Sequence, residues 1–151
     1  MSQPPSERPR ILTGDTPTGS LHLGHYVGSL ENRVAMQDDF DCYFLVANVH
    51  ALTTRPDQTD AIRADTIHII KDWVSVGMDP QRSTMFLQSE VPAIAELTWY
   101  FAMLLGYGRL MKNPTIKDEI RVKGLGDQYS FGFLMYAVGQ IPDILSFTPA
   151  V

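Results

Sequence analysis

The chain has 151 residues, 44% of them hydrophobic and 19% charged, and its 17 acidic and 12 basic side chains leave a net charge of −5. This suits a globular domain with a real core, and it excludes disordered, collagen-like and low-complexity classes. The acidic balance argues against a basic nucleic-acid coat protein, while a local basic face stays compatible with RNA.

The single cysteine, Cys42, excludes an intrachain disulfide framework and a Cys-rich zinc site. It sits in an apolar run and reads as a small buried hydrophobe. No apolar run is long enough to span a bilayer, and MSQPPSERPR lacks the apolar core of a secretory signal. A reducing, cytoplasmic setting without a membrane partner is the expectation.

Residues 1–9 are polar and Pro-rich and read as a flexible tail. Arg10 to Thr13 is a short β-prone run ending at Gly14, followed by a loop from Asp15 to Gly19. From Ser20 the spacing of Leu21, Leu23, Tyr26, Val27 and Leu30 predicts a helix. Asp41 to Asn48, DCYFLVAN, predicts a strand buried on both faces. Ala61, Ile62, Ile67, Ile69, Ile70, Trp73 and Val74 predict the apolar side of a long helix, which Gly77 and Asp79-Pro80 stop. Ser83 to Gln88 predicts a third strand, and Pro92 opens a helix rich in Leu97, Trp99, Tyr100, Phe101, Met103 and Leu104. The polar stretch 112–128 reads as a mobile or ligand-facing loop. A further apolar helix is predicted from Tyr129 to Val138, and Pro142 is predicted to start a new element. The alternation predicts an α/β fold with a doubly wound parallel sheet. The apolar last residues, Phe147 to Val151, suggest a chain that continues.

The first strand–loop–helix junction carries the strongest chemistry. Its sequence is Gly14-Asp15-Thr16-Pro17-Thr18-Gly19-Ser20-Leu21-His22-Leu23-Gly24-His25. The unpaired amides and dipole of a helix beginning there favour phosphate. Thr18 or Ser20 is the expected cap, and Gly24 permits close approach of a flat group. His22 and His25 share a helix face and can donate to anionic oxygens. No Gly-Lys-Ser/Thr follows, so this is not a Walker loop. Taken alone, the pair is equally a surface feature, and with no third ligand nearby in sequence a metal pair is disfavoured.

The string PTGSLHLGHYVGSL resembles the HIGH signature of class I aminoacyl-tRNA synthetases, in the form used by the tryptophanyl members. Tyr43 to Val46 with His50-Ala51-Leu52-Thr53 resembles that family's second strand and the turn after it. Gln88-Ser89-Glu90-Val91-Pro92 resembles its element after the third strand. Tyr136, then Asp143-Ile144-Leu145, resembles the helix that closes on the amino acid. Four ordered motifs cover residues 10–151. The resemblance implies the N-terminal part of a Rossmann-like class I catalytic domain, incomplete at its C-terminus. Neither KMSKS, the Gly-Glu-Asp-Gln stretch nor an anticodon-binding domain has a counterpart here.

The resemblance implies ATP-dependent activation of L-tryptophan and its transfer to tRNA(Trp), with Mg²⁺ accompanying ATP and a homodimer as the assembly. His22, His25 and Thr18 would be catalytic. Thr16, Pro17, Thr18, Gly24 and His25 would contact ATP. Asp143, Tyr136, Leu12, Gly14, His50 and Gln140 would form the tryptophan site. Asp143 would accept the indole N–H; on the residues alone it reads as an N-cap after Pro142. His50 is left between facing this pocket and closing a strand end. Lys117 is left between approaching pyrophosphate and standing in solvent. Departures from the family pattern are Thr16 in place of glutamine, Gln140 in place of methionine and Pro142 in place of alanine. The alternatives are a tyrosyl-type synthetase, a small nucleotidyltransferase, and a truncated non-catalytic paralogue. Residues 1–151 without KMSKS are expected to be inactive alone.

Overall fold

The computed structural model describes residues 8–126 and 128–149, so the predicted tail lies outside the described residues as far as residue 7, as do Asp127, Ala150 and Val151. The described residues form two compact units, 8–90 with 147–149, and 91–146.

The first unit is built on β1 (Arg10–Asp15), β2 (Asp41–Val46) and β3 (Thr84–Leu87), a parallel sheet in the order β1-β2-β3. Arg10 is in register with Asp41 and Asp15 with Val46, while Tyr43 to Val46 pair with Thr84 to Leu87. β2 is the middle strand. Cys42, Phe44, Leu45 and Val46 are all buried in it, as an unbroken apolar run in a strand covered on both faces requires. The strand stops at Val46, earlier than predicted, because Asn48–Ala51 turns into the short helix α3.

After β1 come α1 (Leu23–His25), a π-type turn (Tyr26–Leu30) and α2 (Glu31–Met36), joined without a break in right-handed helical backbone. The helix predicted from Ser20 therefore begins at Leu23. Thr18 and Ser20 do not cap it; His22 does. Leu23 and Val27, expected on the apolar face, are exposed, and Leu30 is the apolar residue this stretch buries. α4 (Thr59–Ser75) is the predicted long helix. It buries Ile62, Ile69 and Trp73, whereas Ile67 and Val74 face outward. Its end is a Schellman motif: Met78 N–H donates to the Trp73 carbonyl at 3.0 Å and Gly77 N–H to the Val74 carbonyl at 3.1 Å. Gly77 has φ +104°, which only glycine adopts freely.

The core of this unit is Leu30, Cys42, Phe44, Val46, Ile69, Trp73 and Met78. Burying such side chains contributes about 1.5–3 kcal/mol each before entropy is counted. Cys42 is fully buried, and burial together with Asp41 pushes its thiol up, so it is an inert packing residue.

The second unit is helical: α5 (Pro92–Leu104), α6 (Tyr107–Leu110), α7 (Pro114–Val122) and α8 (Phe131–Leu145). Two sequence expectations fail here. Most of the polar 112–128 stretch is not a loop. Asn113 accepts the Thr115 N–H at 2.9 Å, Pro114 sits at the first helical position, and Ile116 anchors α7 in the core with Phe133 and Leu134. Pro142 does not start a new element either. It lies inside α8, which is capped by Ser130 and runs from Phe131 to Leu145. A mid-helix proline removes one hydrogen bond and normally breaks the helix. Here Pro142 lies inside α8 and is buried together with Val138 and Gly139.

Candidate functional site

The loop after β1 is held by polar groups at its root. Arg33, in α2 and 5% exposed, clasps Asp15 with both terminal nitrogens, Nη1 to Oδ2 at 2.7 Å and Nη2 to Oδ1 at 3.1 Å, and Nη2 also donates to the Gly14 carbonyl at 3.3 Å. Trp73 donates its indole N–H to the same Asp15 Oδ2 at 2.9 Å. Among the described residues, the buried Arg33 Nε finds no hydrogen-bond partner. Farther along, Arg55 pairs with Asp65 at 3.0 Å and donates to the Pro17 carbonyl, and Pro17 is buried. The Leu21 N–H donates to Asp72 Oδ2 at 3.0 Å. Thr16 and Thr18 are exposed between these holds, and Gly19 takes φ +126°.

The histidine pair comes next. Gly24 N–H donates to His22 Nδ1, and His22 N–H donates to His25 Nδ1, each at 3.1 Å; the ring centroids are 4.0 Å apart. This is a reciprocal cap of the capping-box kind, built from imidazoles. Because each Nδ1 accepts, the neutral rings carry their protons on Nε2 and keep one donor apiece. A Cβ on Gly24 would sit 2.9 Å from the His22 ring, so glycine here makes room for the cap itself. Gly14 is likewise explained by packing, since a Cβ would fall 2.2 Å from the Leu45 carbonyl oxygen. Leu12, on β1, is partly buried.

His50 lies on α3, where the ends of β2 and β3 interlock. His50 N–H donates to Gln88 Oε1, and the Gln88 amide nitrogen meets His50 Nε2, both at 3.1 Å. With the oxygen occupied by the backbone amide, the nitrogen donates and His50 Nε2 accepts. Asn48 and Ser89 exchange two further bonds, at 2.9 and 3.1 Å. Gln88-Ser89 is therefore the partner of the His-Ala-Leu-Thr turn, a pairing not evident in the sequence.

In the second unit, Tyr136, Gln140 and Asp143 follow one another at helical spacing along one side of α8. Asp143 is 5% exposed and lies in the last turn of α8, so it is not an N-cap. Gln140 is exposed. Tyr136 packs on Phe133 and donates its hydroxyl to Glu119 of α7 at 3.2 Å. Lys117, also on α7, is exposed. Burial, then the adjacent Glu119 carboxylate, pushes the Tyr136 hydroxyl up to about 12. A raised tyrosine stabilises the fold below the unfolded value near 10, and that contribution is lost as pH climbs toward 12. Tyr136→Phe should therefore flatten the fall in melting temperature between about pH 10 and 12. An unchanged alkaline slope would show that Tyr136 does not carry it.

The sequence reading missed Arg33, Asp72, Arg55 and Glu119. Each acts through a partner distant in sequence or through a loop carbonyl, and no local pattern announces such pairs.

The family model of class I tRNA synthetases (W and Y) matches residues 4–151. The chain belongs to this family. The tryptophan–tRNA ligase of Streptococcus mutans is 45% identical over 142 residues, 93% of this chain and 42% of the relative. The tryptophanyl-tRNA synthetase of Campylobacter jejuni, solved with ADP and tryptophan, matches with TM-score 0.81 and 32% identity, over 89% of this chain and 41% of that one. A tyrosyl-tRNA synthetase of Archaeoglobus fulgidus, solved with L-tyrosine, matches with TM-score 0.78 at 21% identity, over 95% of this chain and 44% of that one, a likeness of fold alone. The chain thus spans about two fifths of the length of these class I synthetases. The class I fold expected from the first motif is the fold observed.

Proposed function

We propose that these residues form part of a tryptophanyl-tRNA synthetase, belonging to a single catalytic domain that activates L-tryptophan with ATP and passes it to tRNA(Trp). The observation that carries the reading is the His22–His25 turn at the carboxyl end of β1, where two imidazoles are held by their own cap with Nε2 donors to spare. The tryptophan–tRNA ligase relatives and the buried Asp143 near the end of α8 support the choice of amino acid.

In the reaction, a tryptophan carboxylate oxygen attacks the α-phosphorus of ATP. The bond to the β-phosphate oxygen breaks, pyrophosphate leaves, and a tryptophanyl-adenylate anhydride forms. A terminal ribose hydroxyl of the tRNA then attacks the carbonyl carbon, loses its proton and releases AMP. His22 and His25 donate to phosphate oxygens as negative charge moves toward pyrophosphate; Thr16, Pro17, Thr18 and Gly24 shape the ATP side. Positioning and charge stabilisation supply the rate. The family resemblance assigns tryptophan binding to Leu12, Gly14 and His50 of the first unit and to Tyr136, Gln140 and Asp143 of the second, with Asp143 as the acceptor of the indole N–H.

Mg²⁺ fits this scheme as an ion carried by the ATP phosphates and water. Among the described residues, no group of three or more His, Cys, Asp or Glu side chains is placed to hold a metal. No described helix is long and apolar enough to cross a membrane. A cytoplasmic setting follows from the proposed substrate tRNA. A homodimer is supported by α5, which exposes Trp99, Tyr100, Met103 and Leu104. Residues 1–151 alone, without KMSKS, do not charge tRNA in this scheme. The test is exchange of pyrophosphate into ATP by the full-length enzyme, dependent on tryptophan.

A further inference from the structure

We propose that Asp72 of α4 is a positioning residue for the nucleotide loop, setting the approach of the chain to the His22–His25 turn. The inference rests on the nucleotide reading of that turn and adds a residue to it. Asp72 lies 51 positions from the loop in sequence, yet its Oδ2 accepts the Leu21 N–H at 3.0 Å. Leu21 immediately precedes His22, whose own N–H and ring make the reciprocal cap. Fixing the Leu21 amide therefore fixes the Ser20–Leu21 peptide plane, one peptide before the one whose His22 N–H meets the His25 ring. The need for such a hold is local. Gly19, two residues earlier, takes φ +126°, and Ser20 and Leu21 belong to no helix or strand. Upstream, the loop is held at Asp15 by Arg33 and Trp73 and at Pro17 by Arg55. Asp72 is the hold next to the histidines.

Asp72 is partly buried and its carboxylate is unsuited to touching phosphate, since like charges repel. Its contribution is the accepted hydrogen bond, and its charge works against the anion. This sets it apart from a general structural acid. Asparagine, which keeps an acceptor oxygen and drops the charge, should preserve ATP binding, while alanine should lose it.

The experiment compares Asp72→Ala and Asp72→Asn with wild type in the full-length enzyme. It measures Michaelis constants for ATP and tryptophan in pyrophosphate exchange, melting temperature, and hydrogen exchange at the Leu21 amide. Alanine should raise the ATP constant about tenfold, leave the tryptophan constant within twofold, and speed Leu21 exchange at least tenfold. Asparagine should stay within about twofold of wild type on every measure. An Asp72→Ala enzyme with a wild-type ATP constant overturns the proposal. So does an equal loss in both variants, or a parallel rise in both Michaelis constants. Should Asp72→Ala fail to fold, an asparagine variant with a tenfold weaker ATP constant overturns it equally. A wild-type enzyme with no exchange activity refutes the synthetase reading instead, and unchanged Leu21 exchange in Asp72→Ala then refutes the hold itself.

Discussion

Asp143→Ala in the full-length enzyme should raise the Michaelis constant for tryptophan by about one to two decades and leave that for ATP nearly unchanged. A hydrogen bond to a charged acceptor contributes about 1.5–3 kcal/mol, and each 1.4 kcal/mol is about one decade. Indole offers one donor and no acceptor, so a carboxylate is a fitting partner. The cap explanation that competed with this role is gone, because Ser130 caps α8 and Asp143 lies near its far end. Asp143→Asn keeps an acceptor of similar shape without the charge and should fall between wild type and alanine. Wild-type tryptophan kinetics in the alanine variant would remove Asp143 from the site.

Arg33→Ala should destabilise the first unit by about 3–5 kcal/mol, because it strips Asp15 of its bidentate partner in a setting where Arg33 is nearly fully buried. The companion double variant, Asp15→Leu with Arg33→Met, removes both charges and should recover part of that loss. It cannot recover all of it. Trp73 would lose the acceptor for its buried indole N–H, at a cost of about 1–3 kcal/mol. Adding Trp73→Phe removes the stranded donor but also ring volume from the core, so full recovery is not expected. Urea unfolding of the variants measures the sequence of changes. A single Arg33→Ala within about 1 kcal/mol of wild type would show that the pair does not hold the root of the loop.

The legible part of the fold was the part encoded over short range. The apolar run Asp41–Asn48 announced a strand buried on both faces, which stops two residues short at Val46, while Gly77 announced a helix stop and Pro92 a helix start. The failures have physical causes. The helix after β1 starts at Leu23 because the His22 ring, rather than a hydroxyl, supplies the cap. Residues 114–122 are helical despite their polarity because a single buried side chain, Ile116, holds one face of α7 while Lys117, Asp118 and Arg121 face water. Pro142 stands inside α8, near its C-terminal end, at the cost of the one hydrogen bond that its missing N–H cannot make. Within the site, the histidine pair was legible from the motif. The holds behind it were not: Asp15–Arg33–Trp73, Arg55–Pro17 and Asp72–Leu21 join residues 18 to 58 positions apart, and only the folded chain brings them together.

The central claim is tested most directly by exchange of labelled pyrophosphate into ATP by the full-length enzyme, with tryptophan or tyrosine as the only amino acid. Exchange requires that adenylate form and reverse, so it isolates the step assigned to the His22–His25 turn from any contact with tRNA. A pocket built around an indole N–H acceptor predicts rapid exchange with tryptophan and, at equal concentration, little above background with tyrosine. Equal exchange with the two amino acids, or exchange with tyrosine alone, would contradict the tryptophan assignment, and no exchange with either would contradict the synthetase reading.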